Sequence, residues 1–326
     1  MAVPTRTEQL DDLYTSTWNN RQSTVKDQIF DAIPLYNTLV KKGGMKFNGT
    51  GGRYLEIPLQ YAKNETVTSL GRGDTVSLSD TKFLTVAQFE WKFVAGSIPR
   101  YWTDDAKNKS ISQHLALANQ KITNLRDSLS DKFEEFLFGD GTGNGSKDLN
   151  GLHNLVSNTA GSPPGTTVGN INPSTYTWWQ NRTKAASGAA SVYLLSDMRN
   201  LANTVSEGVS RQMPDIIVTT QTVAELYDDE VLEQRQIVNQ SSGDGDFTAT
   251  AWKGVAVQWS SRATSGEMHM LRSDSFSLQV DPDINFAPTE WKSIPNQVND
   301  RVMQIAWKGE FVTSRRKSGG VMTGIA

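Results

Sequence analysis

One stretch constrains the chain more than any other: ISQHLALANQKITNLRDSLSDKFEEFLF, bounded by Ser110 and Gly139. Its apolar residues fall at Ile111, Leu115, Ala118, Ile122, Leu125, Leu129, Phe133 and Leu137. Those steps of three and four are the period of a helix with one buried stripe. Ser110 with Gln113 makes a capping box, because a hydroxyl and an amide can satisfy two orphan N–H groups there. Gly139 supplies a C-terminal stop in a left-handed conformation. Asn119, Arg126, Asp127, Ser130, Asp131 and Glu134 fall on the opposite, polar face. At about 1.5 Å per residue such a helix is roughly 40 Å long. It exceeds the common length of about 10–14 residues, so it predicts a spine that spans its domain.

A chain of 326 residues can bury a sizeable core in one or two domains. Its formal net charge of −3 gives no global electrostatic drive toward nucleic acid or membrane. The absence of cysteine excludes disulfides, thiol nucleophiles and cysteine–metal sites. No basic segment followed by an apolar run opens the chain, so no signal peptide is expected. No apolar run reaches the length of about 18 residues that suggests a membrane span. Nine tryptophans with only 21% charged residues point to extensive packing surface, part of it between subunits.

Residues 1–24 read as a polar arm anchored by Leu10, Leu13 and Trp18. A helical step through Val25, Ile29 and Ile33 breaks at Pro34, and a second short helix carries Leu35, Leu39 and Val40 up to Gly43-Gly44. Leu55, Ile57, Leu59 and Tyr61 then alternate with polar residues and Pro58, an edge strand with one apolar face. A second alternation runs through Phe89, Trp91 and Phe93, so the region predicts a long β-hairpin with a polar tip at Gly71-Arg72-Gly73-Asp74. A lone two-stranded ribbon is marginal in water, so it must lie on another surface.

After the spine, a Gly, Ser, Pro and Asn-rich stretch runs to about Ser187. It is long for an irregular segment in a compact domain. An α/β pattern follows: a helix over 191–207, a buried strand at Ile216-Ile217-Val218, and a short helix with Val223, Leu226 and Tyr227. The segment 240–250 reads as a flexible loop by composition, with strands at 253–259 and 267–272. The last 54 residues return to strand patterning through Met303, Ile305, Trp307 and Phe311.

Signals of chemistry are weak. Gly139-Asp140-Gly141-Thr142-Gly143-Asn144-Gly145 has the look of a phosphate loop, but it follows a helix and the chain has no Gly-Lys dipeptide, so an ordinary helix stop fits better. Asp140, Thr142, Asn144, Gly145 and Asp148 half-match a calcium loop, but its twelfth position is Gly151 rather than Glu. His114, His153 and His269 stand far apart with no metal-ligand spacing, and each reads as a surface or satisfied core residue. Asp228-Asp229-Glu230 and Asp281-Pro282-Asp283 read as solvated faces or turns. Arg72-Gly73-Asp74 matches the integrin tripeptide, and a turn accounts for it equally. Arg315, Arg316 and Lys317 form a small basic cluster suited to a solvated or inter-subunit face. No catalytic residue, cofactor or metal is assigned. The rival class is a Gly-loop metal- or nucleotide-dependent enzyme.

The order of these pieces, and several local phrases, carry a family resemblance. The phrases are Phe30-Asp31-Ala32-Ile33-Pro34-Leu35, Gly52-Arg53-Tyr54-Leu55-Glu56-Ile57-Pro58-Leu59, Gln88-Phe89-Glu90-Trp91-Lys92, Leu137 through Gly145, Asn150-Gly151-Leu152, Trp178-Trp179-Gln180-Asn181 and Pro214-Asp215-Ile216-Ile217. Over about residues 25–325 the chain resembles the major capsid proteins of tailed bacteriophages, the Hong Kong 97 fold family.

The resemblance implies an α+β fold with an N-terminal arm (1–48), an extended β-hairpin loop (49–85), a peripheral domain with the spine helix (86–169), an axial α/β domain (170–272) and returning peripheral strands (273–326). It implies a structural protein that assembles with itself through hexamers and pentamers into an icosahedral head around double-stranded DNA, in the virion, after assembly in the bacterial host cytoplasm. Portal, scaffolding and decoration proteins are the further partners it suggests. DNA would be met only non-specifically, and membrane not at all. The residues expected between subunits are Trp18, Arg72, Asp74, Arg315, Arg316 and Lys317.

Overall fold

The computed structural model describes residues 33–49, 51–103, 111–158, 167–206, 212–234, 239–242, 247–297 and 299–326, with 111–119, 232–234, 239–242 and 247–250 as backbone alone. The capping box at Ser110, the step through Val25 and Ile29, and Trp18 lie outside these residues.

Two helices and a short strand frame the first lobe. Helix α1 (Pro34–Lys41) enters through a proline, whose fixed φ suits a first turn. Strand β1 (Met45–Phe47) follows it, and Leu35 and Leu39 are buried. Within the N-terminal arm expected over 1–48, residues 34–47 are therefore docked on the first lobe. Helix α2 (Ile111–Phe138) is the spine, 28 residues long. Leu129, Phe133 and Leu137 are buried on it as the apolar period requires.

The reading of the spine fails at two points. Glu134, placed on the polar face, is fully buried. The helix is covered on a second side by α1, whose first N–H groups face that carboxylate. Gly139 does end the helix, but by donating its N–H to Phe136 O at 3.0 Å. The left-handed residue is Gly141, at φ +76°.

The sheet beneath the spine is built on β14 (Arg301–Thr313). Strand β4 (Lys92–Arg100) runs antiparallel along it from Gly309↔Lys92 to Arg301↔Arg100. Strand β11 (Phe276–Val280) pairs with its far half and carries β1 in parallel. The short strands β12 (Ala287–Pro288) and β13 (Lys292–Ser293) pair with its near half. Met303, Ile305 and Trp307 point to one face, as period two demands. Phe133 meets Trp307 edge to face at 4.6 Å between ring centroids. Gly96 lets the spine approach β4 closely: a Cβ there would stand 2.4 Å from Leu125 Cδ1.

The second sheet has seven strands in the order β5-β15-β10-β6-β9-β8-β7. They are β5 (Arg182–Ala185), β6 (Ile216–Thr219), β7 (Asn239–Ser242), β8 (Phe247–Trp252), β9 (Val255–Trp259), β10 (Met268–Leu271) and β15 (Gly320–Thr323). Three helices bear on it: α3 (Leu152–Leu155), α4 (Ala190–Val205) and α5 (Gln221–Gln234). Helices α4 and α5 cover one face, packing Leu194, Met198, Leu201 and Tyr227 on Ile217, Met268, Met270 and Met322. The other face puts Ile216, Val218, Leu271 and Val321 into the core of the first lobe, with Leu152 and Leu155 of α3. Coverage on both faces explains why β6 is an unbroken apolar run.

Two further expectations change here. Within the segment 240–250, read as a loop, residues 240–242 and 247–250 belong to the antiparallel pair β7–β8, because strand pairing supplies what polar side chains do not advertise. Strand β15, expected among the returning strands of the first lobe, sits inside the second sheet between β5 and β10.

Candidate assembly surface

The hairpin consists of β2 (Tyr54–Gln60) and β3 (Leu84–Glu90), paired from Tyr54↔Glu90 to Gln60↔Leu84. Pro58 is tolerated because β3 is the sole strand partner of β2 among the described residues. One face of this ribbon is buried in its own chain: Leu55, Leu59, Ala87 and Phe89 all belong to the first core. The alternation expected to continue through Phe93 is interrupted at Trp91. There the chain leaves β2 as partner and takes up β14, so Trp91 is buried while Phe93 is 66% exposed.

Two contacts clamp the ribbon's base. Gln88 N–H donates to Gly169 O at 3.0 Å. Tyr61 stacks on Trp178 at 5.6 Å between centroids. Beyond this clamp, residues 61–83 contain no strand or helix and are almost wholly exposed. The loop carries Val67, Leu70, Val76 and Leu78, the last 96% exposed. These apolar side chains are the feature that sequence reading passed over, because Ser, Thr and Asp neighbours make the segment look uniformly polar.

At the tip, Gly71 N–H donates to Asp74 Oδ2 at 2.6 Å and Asp74 N–H to Gly71 O at 3.3 Å. Gly73, at φ +94°, makes that turn possible. Arg72 and Asp74 are both exposed on it.

The basic cluster divides. Arg315 and Lys317 are partly exposed. Arg316, expected between subunits, is 1% exposed and is taken up inside its own chain. Its guanidinium donates to Leu155 O at 2.9 Å, Trp179 O at 3.1 Å, Asn154 O at 3.3 Å and Asn181 Oδ1 at 3.3 Å. Four acceptors offset the cost of burying the charge. Desolvation still lowers its pKa to about 10, so it stays cationic at neutral pH.

The Asp140 loop has a local use. Asp140 Oδ1 accepts from Thr142 N at 2.9 Å and from Thr142 Oγ1 at 2.8 Å, and those bonds hold its carboxyl below the usual range. Among the described residues no group of three or more His, Cys, Asp or Glu is arranged to hold a metal ion, and no helix is long and apolar enough to cross a membrane. The histidines are less scattered than their spacing suggests, since His153 and His269 both approach Glu267.

No family model matches the sequence, and no curated protein matches it. Solved structures do. The capsid asymmetric unit of cyanophage A-1(L) superposes with a TM-score of 0.66 at 14% identity, covering 93% of this chain and 96% of that one. The holo-SrpI encapsulin complex from Synechococcus elongatus gives 0.60 at 9% identity, covering 100% of this chain and 96% of that one. The capsid of Myoviridae phage XM1 gives 0.58 at 12% identity, covering 94% and 98%. At such identities the likeness bears on architecture, and it runs through both lobes: the chain has the Hong Kong 97-type capsid fold.

Proposed function

We propose that this chain is the structural subunit of a phage head, assembling with itself through hexamers and pentamers into an icosahedral shell around double-stranded DNA. The observation that carries the reading is the whole-chain likeness to capsid subunits. The loop 61–83 supports it. Its exposed apolar residues have no cover among the described residues, and burying one fully is worth about 1.5–3 kcal/mol. A repeated heterologous contact of that kind closes rings and shells.

In this reading the loop lies over a neighbouring subunit, with Arg72 and Asp74 at the rim of the contact. The second sheet with α4 and α5 forms the axial domain at the five- and six-fold centres. The spine and the β14 sheet form the peripheral domain. Arg315 and Lys317 remain proposed contacts. The chain's work is association rather than catalysis, and its place is the virion.

The likeness to an encapsulin complex favours one second reading, a shell that encloses no phage genome. Electron microscopy of the purified protein tests the main proposal. Closed shells or free capsomers are expected, and particles of single-subunit size under every assembly condition would overturn it. Nuclease-protected DNA in shells from the native source separates the two readings.

A further inference from the structure

A polar cluster is enclosed where the two lobes meet. His269 of β10 is 2% exposed and sits on the sheet face turned toward the first core. The residues directly opposite it, Val218 on β6 and Val321 on β15, are apolar. Glu267, 8% exposed, places Oε2 3.5 Å from His269 Nε2. From the other lobe, His153 of α3 brings its Nε2 to 4.0 Å from the same oxygen and to 2.6 Å from Thr264 Oγ1. Asn158 Nδ2 donates to Glu267 Oε1 at 3.4 Å. Neither ring nitrogen of His269, nor Glu267 Oε2, has a hydrogen-bond partner among the described residues. Buried polar atoms left in that state are rare and costly, and two imidazoles around one carboxylate form a charge-sharing arrangement.

We propose that His153, Glu267 and His269 form a proton-sensitive latch between α3 and the second sheet, closed at neutral pH and opened by acid. With both rings neutral the cluster holds one carboxylate and carries a net charge of −1. A first proton brings it to zero and strengthens the pairing. A second leaves two imidazolium rings competing for one carboxylate, with one ring walled by valines. Coulomb repulsion and desolvation then act together. His153 is the ring that can leave, being 26% exposed on a single helical turn.

The other charges in view do not reverse this balance. Asp140 interacts with His153 from the helix-stop loop, and the Arg316 guanidinium holds the carbonyls of Asn154 and Leu155 on the same turn. Arg316 keeps the end of α3 in place, so the opening is local. Burial holds the His269 pKa below its ordinary value of 6.5, outweighing the pull of Glu267. The sign follows: the folded state resists a proton that the open state accepts, so this stability is present above pH 6.5 and is lost as pH falls through the folded pKa.

The test uses the full chain and hydrogen exchange read by mass spectrometry, for backbone amides and for the imidazole Cε1 positions. The chain has three histidines, so each can be followed separately. After correction for intrinsic rates, protection at the Leu155 and Val156 amides should fall by up to about tenfold per pH unit between pH 6.5 and the folded pKa of His269, and level off below it. His269→Leu should make that profile flat. Protection that does not change between pH 7.5 and 5, or an equal fall in His269→Leu, would overturn the latch. If His269→Leu does not fold, the wild-type chain still decides. Loss of protection that coincides with protonation of His269 supports the latch, and loss at a pH where that ring does not titrate refutes it.

Discussion

Glu134 on the spine helix accepts the backbone N–H of Leu35 on Oε1 at 3.1 Å, across 99 residues of chain. The neighbouring N–H of Tyr36 reaches Oε2 at 2.9 Å. One carboxylate thereby satisfies two of the orphan donors at the start of α1. Helix α1 in turn reaches the second sheet through Thr38 Oγ1 to Gln258 Oε1 at 2.7 Å, and Lys42, just past its end, donates from Nζ to Asp215 O, just ahead of β6, at 2.6 Å. Residues 34–47 therefore join both lobes, and Glu134 is the group that holds their entry point. Replacing it with Ala should cost about 2–4 kcal/mol, because two buried N–H groups lose their acceptor and a void opens. Arg126→Ala, on the exposed side of the same helix, should stay within about 0.5 kcal/mol. Denaturant unfolding of unassembled subunit reads both, and equal losses would show that the spine is misoriented.

Stability should also depend on pH through two buried glutamates. Burial raises Glu134 to about 7 and Glu310 to about 8, from 4.5. Glu310 Oε1 accepts from Asn150 N at 2.8 Å and Phe311 N at 2.9 Å, which moderates the shift without cancelling it. With folded pKa values above the unfolded one, the contribution is complete below pH 4.5 and is lost as pH rises through about 7 and 8. Thermal melts should give a lower Tm at pH 9 than at pH 6, by an amount that shrinks in Glu310→Gln. This global effect has the opposite sign to the local acid opening at His269, so the two are separable.

Gly96 and Leu125 should be energetically coupled. A methyl at Gly96 would sit 2.4 Å from Leu125 Cδ1, so Gly96→Ala must displace the spine or the Leu125 side chain. Overpacking of this kind costs about 1–3 kcal/mol. Leu125→Ala leaves room for the new methyl, so the double variant should be less damaged than the sum of the single ones, with a coupling of about 1 kcal/mol or more. Additive losses would mean that the approach of spine and sheet is looser than described.

The three basic residues near the C-terminal end should separate by phenotype. Arg316→Ala leaves four acceptors unpaired in the interior and should abolish stable folding, with a loss of about 3–5 kcal/mol or more. Arg316→Lys should not rescue it, because a single ammonium cannot reproduce the planar fork. Arg315→Ala and Lys317→Ala should fold normally, with any defect confined to assembly. Circular dichroism and shell yield distinguish these outcomes.

Deleting residues 65–80 should leave a folded subunit that no longer closes into stable shells. The ribbon's own packing, through Leu55, Leu59, Ala87 and Phe89, lies wholly outside the deleted segment. Circular dichroism reports the first half of the expectation and electron microscopy the second. Normal shells would remove the loop from the interface, and an unfolded subunit would make it part of the chain's own core.

Local periodicity was enough to read the spine helix, whose observed bounds Ile111–Phe138 coincide with the apolar repeat. It was enough for β2 as well, and for β6, because amphipathicity and unbroken apolar runs are written in consecutive residues; the second alternation, through Phe93, straddles β3 and β4. The succession of these elements already resembled the fold that the superpositions bear out. Tertiary structure alone decided which polar groups are inside. A helical wheel places Glu134 outward, since nothing near it in the chain announces that α1 will cover that side. Arg316 looks like surface beside Arg315 and Lys317 until Leu155 and Trp179, 161 and 137 residues away, supply its acceptors. His153 and His269 become neighbours only when the two lobes close. Apolar burial follows from what a residue is, so sequence carries it. The burial of a charge depends on partners that arrive from distant segments, and only the assembled fold determines where they stand.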